Sequence, residues 1–285
     1  MGETEVTNAV MAAVLQWAYN SGRFSSIVGD HNYLDSTTAK YGGQQLLDLD
    51  DTNCRVYYDG DGAFSAESGF ENKPVTNVTW YGSVMFCNWL TEMRDGNTDN
   101  LIYTNIDTDW ASSETLDSAS KTGYRLPYSV EFEYAARYLG SSMPSSGGSL
   151  DTEYVSLNYN DDGTSSLTDG YFWTPGDYAS GAIEDYTNTG ACQTVAVYED
   201  SSPKPTDEAS VKSLGAGSAN VLGIYDMCGN VRERMFDEHS SGSCWIQAGG
   251  WSSNVEYLKI GDWVYSLPVG EDQGDSGFRL CRTAD

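Results

Sequence analysis

Residues 248–285 read AGGWSSNVEYLKIGDWVYSLPVGEDQGDSGFRLCRTAD. A Gly-Gly-Trp turn at 249–251 opens the stretch, and an alternating apolar run, GFRLCR at 277–282, closes it like a terminal strand. Between Asp262 and Ser276 neither the 3.6-residue period of a helix nor the two-residue period of a strand is visible. The chain therefore closes a patterned framework around an unpatterned segment, and loops carried on a rigid scaffold are where binding residues concentrate.

Outward from this segment, apolar pattern returns in SANVLGIYDMCGNVRERMF (218–236). Three helices are expected further upstream. Thr7 or Asn8 can cap the first, at about residues 8–20, which stops near Ser21-Gly22. PVTNVTWYGSVMFCNWLTEMRDG (74–96) starts extended and then forms a second, ending at Asp95-Gly96. TGYRLPYSVEFEYAARYLG (122–140) gives a short strand and a brief third helix whose Phe132, Tyr134, Ala135 and Tyr138 pack inward. Residues 23–73 are polar and Gly-rich, a surface excursion with at most short strands. The stretch 140–220 lacks hydrophobic period except for islands such as GYFW (170–173) and TVAVY (194–198), candidate short strands. No linker divides the chain, so one α+β domain over 1–285, with little regular structure and long loops, is the expected organisation.

Composition narrows the functions. The 42 acidic and 15 basic side chains of the 285 residues leave a formal charge of −27, which repels nucleic acid and anionic membrane surfaces. Six cysteines, at 54, 87, 192, 228, 244 and 281, contain no CxxC pair and are too sparse for a disulfide scaffold or zinc cluster, and Cys87 reads as a buried free thiol. No stretch approaches the ~18 apolar residues that would span a bilayer, so no membrane insertion is expected. Because Met1-Gly2 runs directly into the first motif, an upstream segment is expected to have been removed. His31 and His239 lie in polar contexts, GDHNY and DEHSS, far from anything like a nucleophile elbow.

Six motifs carry a resemblance: GETEVTNAVM (2–11), PVTNVTWYGSVMFCNWL (74–90), GYRLPYSVEFEYAAR (123–137), NVLGIYDMCGNVRER (220–234), AGGW (248–251) and GFRLCR (277–282). In this order they are similar to the formylglycine-generating enzyme or sulfatase-modifying-factor family, whose fold is C-type lectin-like. Phe132, Arg232 and Arg234 stand where family members usually read Trp, and Ala248 where they read Arg. The resemblance implies a copper site built from two cysteines between the Gly-Gly turn and the GFR strand, but residues 250–277 contain none. Soft thiolates select Cu(I), so copper is not expected. Nor is iron, which a sister branch holds with several histidines. No catalytic residue is assigned.

The resemblance also implies a calcium cage from the Asp226 side chain, the Gly229 and Val231 carbonyls and the Glu233 side chain, an oxygen set that suits a hard ion. Among proteins of this fold the chain is most similar to the variable proteins of diversity-generating retroelements, which diversify a C-terminal segment, here about 249–277. That likeness implies a non-catalytic receptor-recognition protein, surface-displayed or virion-associated, binding a protein or glycan on another cell or virus surface. The implied ligand-binding residues are Trp251, Ser252, Ser253, Asn254, Tyr257, Asp262, Trp263, Val264, Tyr265, Ser266, Leu267, Val269, Gly270, Asp272, Gly274, Asp275 and Ser276. Their mixture of aromatic, small and acidic groups resembles a paratope. The alternative is an oxidase-fold enzyme of the family acting on a peptide or small substrate.

Overall fold

The computed structural model describes residues 1–23, 33–35, 44–103, 121–138, 158–159, 172–173, 178–199, 217–240, 242–260 and 265–283. Helix α1 (Asn8–Asn20) starts where the Thr7 hydroxyl accepts a hydrogen bond from the Val10 amide at 3.1 Å, and it buries Met11, Val14, Leu15 and Ala18. Helix α2 (Trp80–Asp95) is capped by the Thr79 hydroxyl, which accepts from Gly82 N–H at 3.0 Å, and ends at Gly96 with φ 70°. Nearly every residue from Trp80 to Trp89 is buried, so α2 is the central post of the fold. Gly82 is required there, because a Cβ would lie 2.0 Å from the Leu46 carbonyl oxygen.

That contact corrects the expectation for residues 23–73. Strand β1 (Tyr33–Asp35) pairs with β2 (Gln45–Asp48), and β3 (Val56–Tyr58) pairs with β4 (Phe64–Ala66). Leu46, Leu47, Cys54, Val56 and Phe64 are core residues rather than surface. The strands are short, but α2 lies close enough to bury both leucines.

Strand β5 (Tyr124–Arg125) leads into α3 (Ser129–Arg137), whose N-terminus is capped from another element: Asp237 accepts from Ser129 N–H at 2.7 Å and Ser129 Oγ at 2.5 Å. Phe132, Ala135 and Ala136 face inward, whereas Tyr134 is exposed and Tyr138 half-buried. The two tyrosine rings lie tilted against each other, with centroids 6.3 Å apart. So short a helix buries one face only.

In the middle of the chain β6 (Asn158–Tyr159) pairs with β7 (Phe172–Trp173), as the GYFW island suggested. The TVAVY island is different. Val195–Tyr198 are buried but form no strand, since they follow the one-turn helix α4 (Thr189–Gln193) into the core and offer the Val197 carbonyl to Asn230 N–H at 2.7 Å.

The main sheet runs β10 (Tyr265–Pro268), β9 (Ser243–Gln247), β8 (Arg232–Ser240), β11 (Ser276–Gly277), with β11 parallel to β8 and the other pairs antiparallel. The terminal GFRLCR run does not act as one strand. It hands its hydrogen bonds from partner to partner: β11 to β8, Arg279 to Glu5, and β12 (Cys281–Arg282) to β5. Gly2 and Val6 amides donate to the Leu280 and Phe278 carbonyls at 2.6 and 2.9 Å. The run thus laces the N-terminal segment, the main sheet and the entry to α3 together. Phe278, fully buried, meets Phe86 of α2 edge-on at 5.3 Å.

Two cores flank this lacing. One gathers α1, α2 and the early strands with Phe278, and the other gathers α3, residues 179–198, Met235, Trp245, Leu258 and Ile260. All six cysteines are free and buried. Among the described residues no helix is long and apolar enough to cross a membrane.

Candidate display surface and the buried ionic centre

The C-terminal segment leaves the sheet at Ala248, which adopts φ 68°, and turns through Gly249-Gly250. Gly249 is tightly held, since a Cβ there would lie 2.9 Å from the Tyr257 carbonyl. Trp251 N–H donates to the Asn230 carbonyl at 2.7 Å, and Gly250 N–H donates to Ser253 Oγ at 2.9 Å. These contacts anchor the turn from below. A 3₁₀ turn over Val255–Leu258 buries Leu258 and returns the chain through Ile260, whose amide donates to Tyr178 O at 3.0 Å. Ser252, Asn254 and Glu256 are left exposed, with Trp251 and Tyr257 half-buried beside them.

Asp275 joins this rim from the far end of the segment. Its carboxylate accepts from Ser252 Oγ at 3.1 Å and pairs with Arg232 Nη2 at 3.5 Å, while its carbonyl accepts from Arg232 N–H at 2.8 Å. Arg232 was not among the expected site residues. A charged residue in the first position of an otherwise framework-like strand was the available signal.

Other expected ligand-binding residues are not surface groups. Leu267 of β10 sits opposite Cys244 of β9 and is fully buried, and Val269, Ser253 and Ser276 are buried too. Their side chains belong to the frame because the backbone around them is already part of the sheet or the turn beneath it. Ser266 is half-buried and Gly270 exposed. Asp272 is half-buried, accepts from Gln45 Nε2 at 2.6 Å, and is held above the usual carboxylate range by burial. Gly274 is half-buried, and a Cβ there would lie 2.7 Å from Asn53 Nδ2, so that side chain would have to shift. Asp262, Trp263, Val264 and the side chain of Tyr265 lie outside the described residues, as do His31 and the side chain of His239.

Of the residues expected to cage calcium, Asp226 and Glu233 meet at a guanidinium, that of Arg279. Asp226 and Asn230 take left-handed φ values of 54° and 61°, and Gly229 at φ 93° brings the chain so close to Val197 O that a Cβ would lie 2.4 Å away. This tight coil delivers Glu233 to Arg279. Nε of Arg279 donates to one Glu233 oxygen at 2.6 Å and Nη2 donates to the other, with both side chains fully buried. Burial lifts Glu233 above the usual carboxylate range even so. Glu5 lies against the same centre: its Oε1 accepts from Asn230 Nδ2 at 2.9 Å, and burial, then the neighbouring Asp226, push it well above its ordinary range. Among the described residues no three His, Cys, Asp or Glu side chains form a metal-holding group. Both Glu233 oxygens are engaged by Arg279, while Glu5 Oε2 and Asn230 Oδ1 at the same centre are buried without a hydrogen-bond partner.

Cys244 and Cys281 flank the segment; both are buried, and burial pushes both thiols up.

Comparison with known proteins agrees with this architecture. Chaperone protein LppX of Paenibacillus barcinonensis is 31% identical over 240 residues, covering 76% of this chain and 72% of its own. The crystal structure of CarF aligns with a TM-score of 0.56 at 23% identity, over 99% of this chain and 85% of that one, a likeness of fold. Treponema denticola variable protein 1 aligns at a TM-score of 0.49 and 24% identity, over 81% of this chain and 78% of that one. The sulfatase-modifying factor enzyme 1-like domain matches residues 1–284. The chain therefore belongs to the sulfatase-modifying factor enzyme 1-like family, which includes enzymes, and has its α+β, C-type lectin-like fold.

Proposed function

We propose that this protein is a non-catalytic recognition protein, in the manner of the variable proteins of diversity-generating retroelements, presenting C-terminal side chains to a protein or glycan on another cell or virus surface. One observation carries the reading: residues 250–277, where oxidising relatives need thiolates, hold no cysteine and no histidine, and instead raise Trp251, Ser252, Asn254 and Tyr257 on a hydrogen-bonded base. Copper(I) needs soft ligands, and none is available there. Aromatic groups supply contact area with few rotors, and Ser and Asn adapt their hydrogen bonds, the division of labour found in paratopes. A formal charge of −27 disfavours phosphate-rich ligands. A relative named a chaperone accords with a protein partner.

Two experiments test the reading. Incubating the protein with a cysteine-containing sulfatase peptide, copper and oxygen should give no formylglycine by mass spectrometry; turnover above a no-protein control would favour the family's enzymatic activity on a peptide instead. Sequencing the 3′ coding segment across isolates should find substitutions concentrated at exposed positions of 251–275, and an invariant segment would count against diversification.

A further inference from the structure

The turn from Pro268 to Gln273 carries no side-chain period, yet it is fixed. Three alternate carbonyls face the framework and each accepts a hydrogen bond from it: Val269 O from Trp80 N–H at 3.1 Å, Glu271 O from Arg234 Nη2 at 2.6 Å, and Gln273 O from Asn77 N–H at 3.1 Å. Glu271 N–H closes the turn on Pro268 O at 3.0 Å. Arg234 is the side chain in this set. Only 1% exposed, it also donates from Nε to Val78 O at 2.8 Å, so one guanidinium ties the approach to α2 to the crest of the turn. A guanidinium is a costly way to fill a core, and it is retained where its fork of donors is used.

The turn is anchored by the carbonyls of Val269, Glu271 and Gln273 and by the Asp272 carboxylate, which accepts from Gln45 Nε2 at 2.6 Å, whereas Gly270 and Glu271 face outward. Gly270 is exposed, its φ lies outside the left-handed region, and a Cβ there would meet nothing closer than Tyr81 Cε2 at 3.9 Å, an ordinary contact. Glu271 is exposed as well. The neighbouring glycines contrast with this: a Cβ on Gly274 would strike Asn53, and one on Gly277 would lie 2.6 Å from Val75 O.

We infer that Arg234 is a positioning residue that fixes the crest of the 269–273 turn through the Glu271 carbonyl, which makes Gly270 and Glu271 specificity-determining positions whose side chains can change without moving the turn. The inference deepens the recognition reading and rests on it for what that freedom serves. Glu271 joins the surface although the sequence pattern did not single it out.

The test uses the full chain. Gly270→Tyr, Glu271→Tyr and the double variant should each melt within about 2 °C of the parent, as exposed substitutions do. In Arg234→Met, amide hydrogen exchange at Glu271 and Asn77 should rise about tenfold or more while Ser83, inside α2, is unchanged, because local opening exposes only the released unit. Equal acceleration at Ser83, or none at Glu271, would overturn the positioning role. Should Arg234→Met fail to fold, Arg234→Lys takes the same exchange measurement, and a fall in melting temperature for the Tyr variants as large as that of Leu267→Ala would overturn the inference by itself. A library diversified at Gly270 and Glu271 that folds but yields no binder to any cell-surface extract would instead remove the recognition reading, leaving the anchoring intact.

Discussion

Residues 250–257 and residues 265–276 belong to the same C-terminal segment and are built in different ways. The first group rises from a turn fixed by Ser253 and by the Asn230 carbonyl, and it leaves Ser252, Asn254 and Glu256 in solvent. The second is woven into the frame: Tyr265–Pro268 pairs with β9, Leu267 is fully buried, and the carbonyls of Val269, Glu271 and Gln273 are all engaged. The difference shows that irregular sequence is not the same as free surface. A four-residue edge strand ending in Pro268, followed by a turn held mainly through its main chain, needs no side-chain period. Its buried and exposed positions alternate within a few residues, Val269 inward and Gly270 outward.

The largest effects are expected where the segment meets the core. Phe278→Ala removes a fully buried ring lodged against Phe86 and should cost about 3–5 kcal/mol in a denaturant melt. Leu267→Ala should cost about 2–5 kcal/mol; a loss near zero would return that half of the segment to the surface.

A smaller effect comes from the buried ionic centre. Glu5 keeps its proton to higher pH in the folded state than in the unfolded one, chiefly through burial. Its contribution is therefore complete below its ordinary range near 4.5 and is lost as pH rises through the raised value, so the melting temperature should fall from pH 5 to pH 8. Glu5→Gln keeps the Oε1 acceptor for Asn230 and should raise the melting temperature at pH 8 while flattening this slope. A lower melting temperature at pH 8 would show that the charge is needed. The Glu233–Arg279 pair leads to an expected change of zero: chelator should leave the melt unaltered. Chelator-sensitive melting that Glu233→Ala abolishes would restore the calcium cage.

Much of the frame is legible in the sequence because its signals are local. Thr7, Thr79 and Gly96 bound two helices through capping chemistry that involves only their own first or last turn. Leu46 and Leu47 were not legible as core, since what buries them is the approach of Gly82 across the fold. Tyr134 has the aromatic character of a core residue but falls on the outer face of a one-sided helix. At the candidate surface, Trp251, Ser252, Asn254 and Tyr257 are picked out by the resemblance to variable proteins. Arg279's claim on Glu233, from 46 residues away, could not, because motif spacing carries no record of which partner a carboxylate chooses. Arg234 was visible only as a departure from the resembled pattern; its bonds to Val78 and Glu271 appear once three distant segments meet.

The central claim, that exposed and framework positions interleave within one segment, is tested most directly by comparing two displayed libraries of the full chain. One randomises Ser252, Asn254, Glu256, Gly270 and Glu271; the other randomises Ser253, Leu267, Val269 and Ser276. Sorting each for protease-resistant protein measures the folded fraction. The account predicts that most of the first library stays folded, because exposed substitutions shift stability by about 0.5 kcal/mol or less, and that the second is largely lost. Equal survival of the two libraries would contradict it.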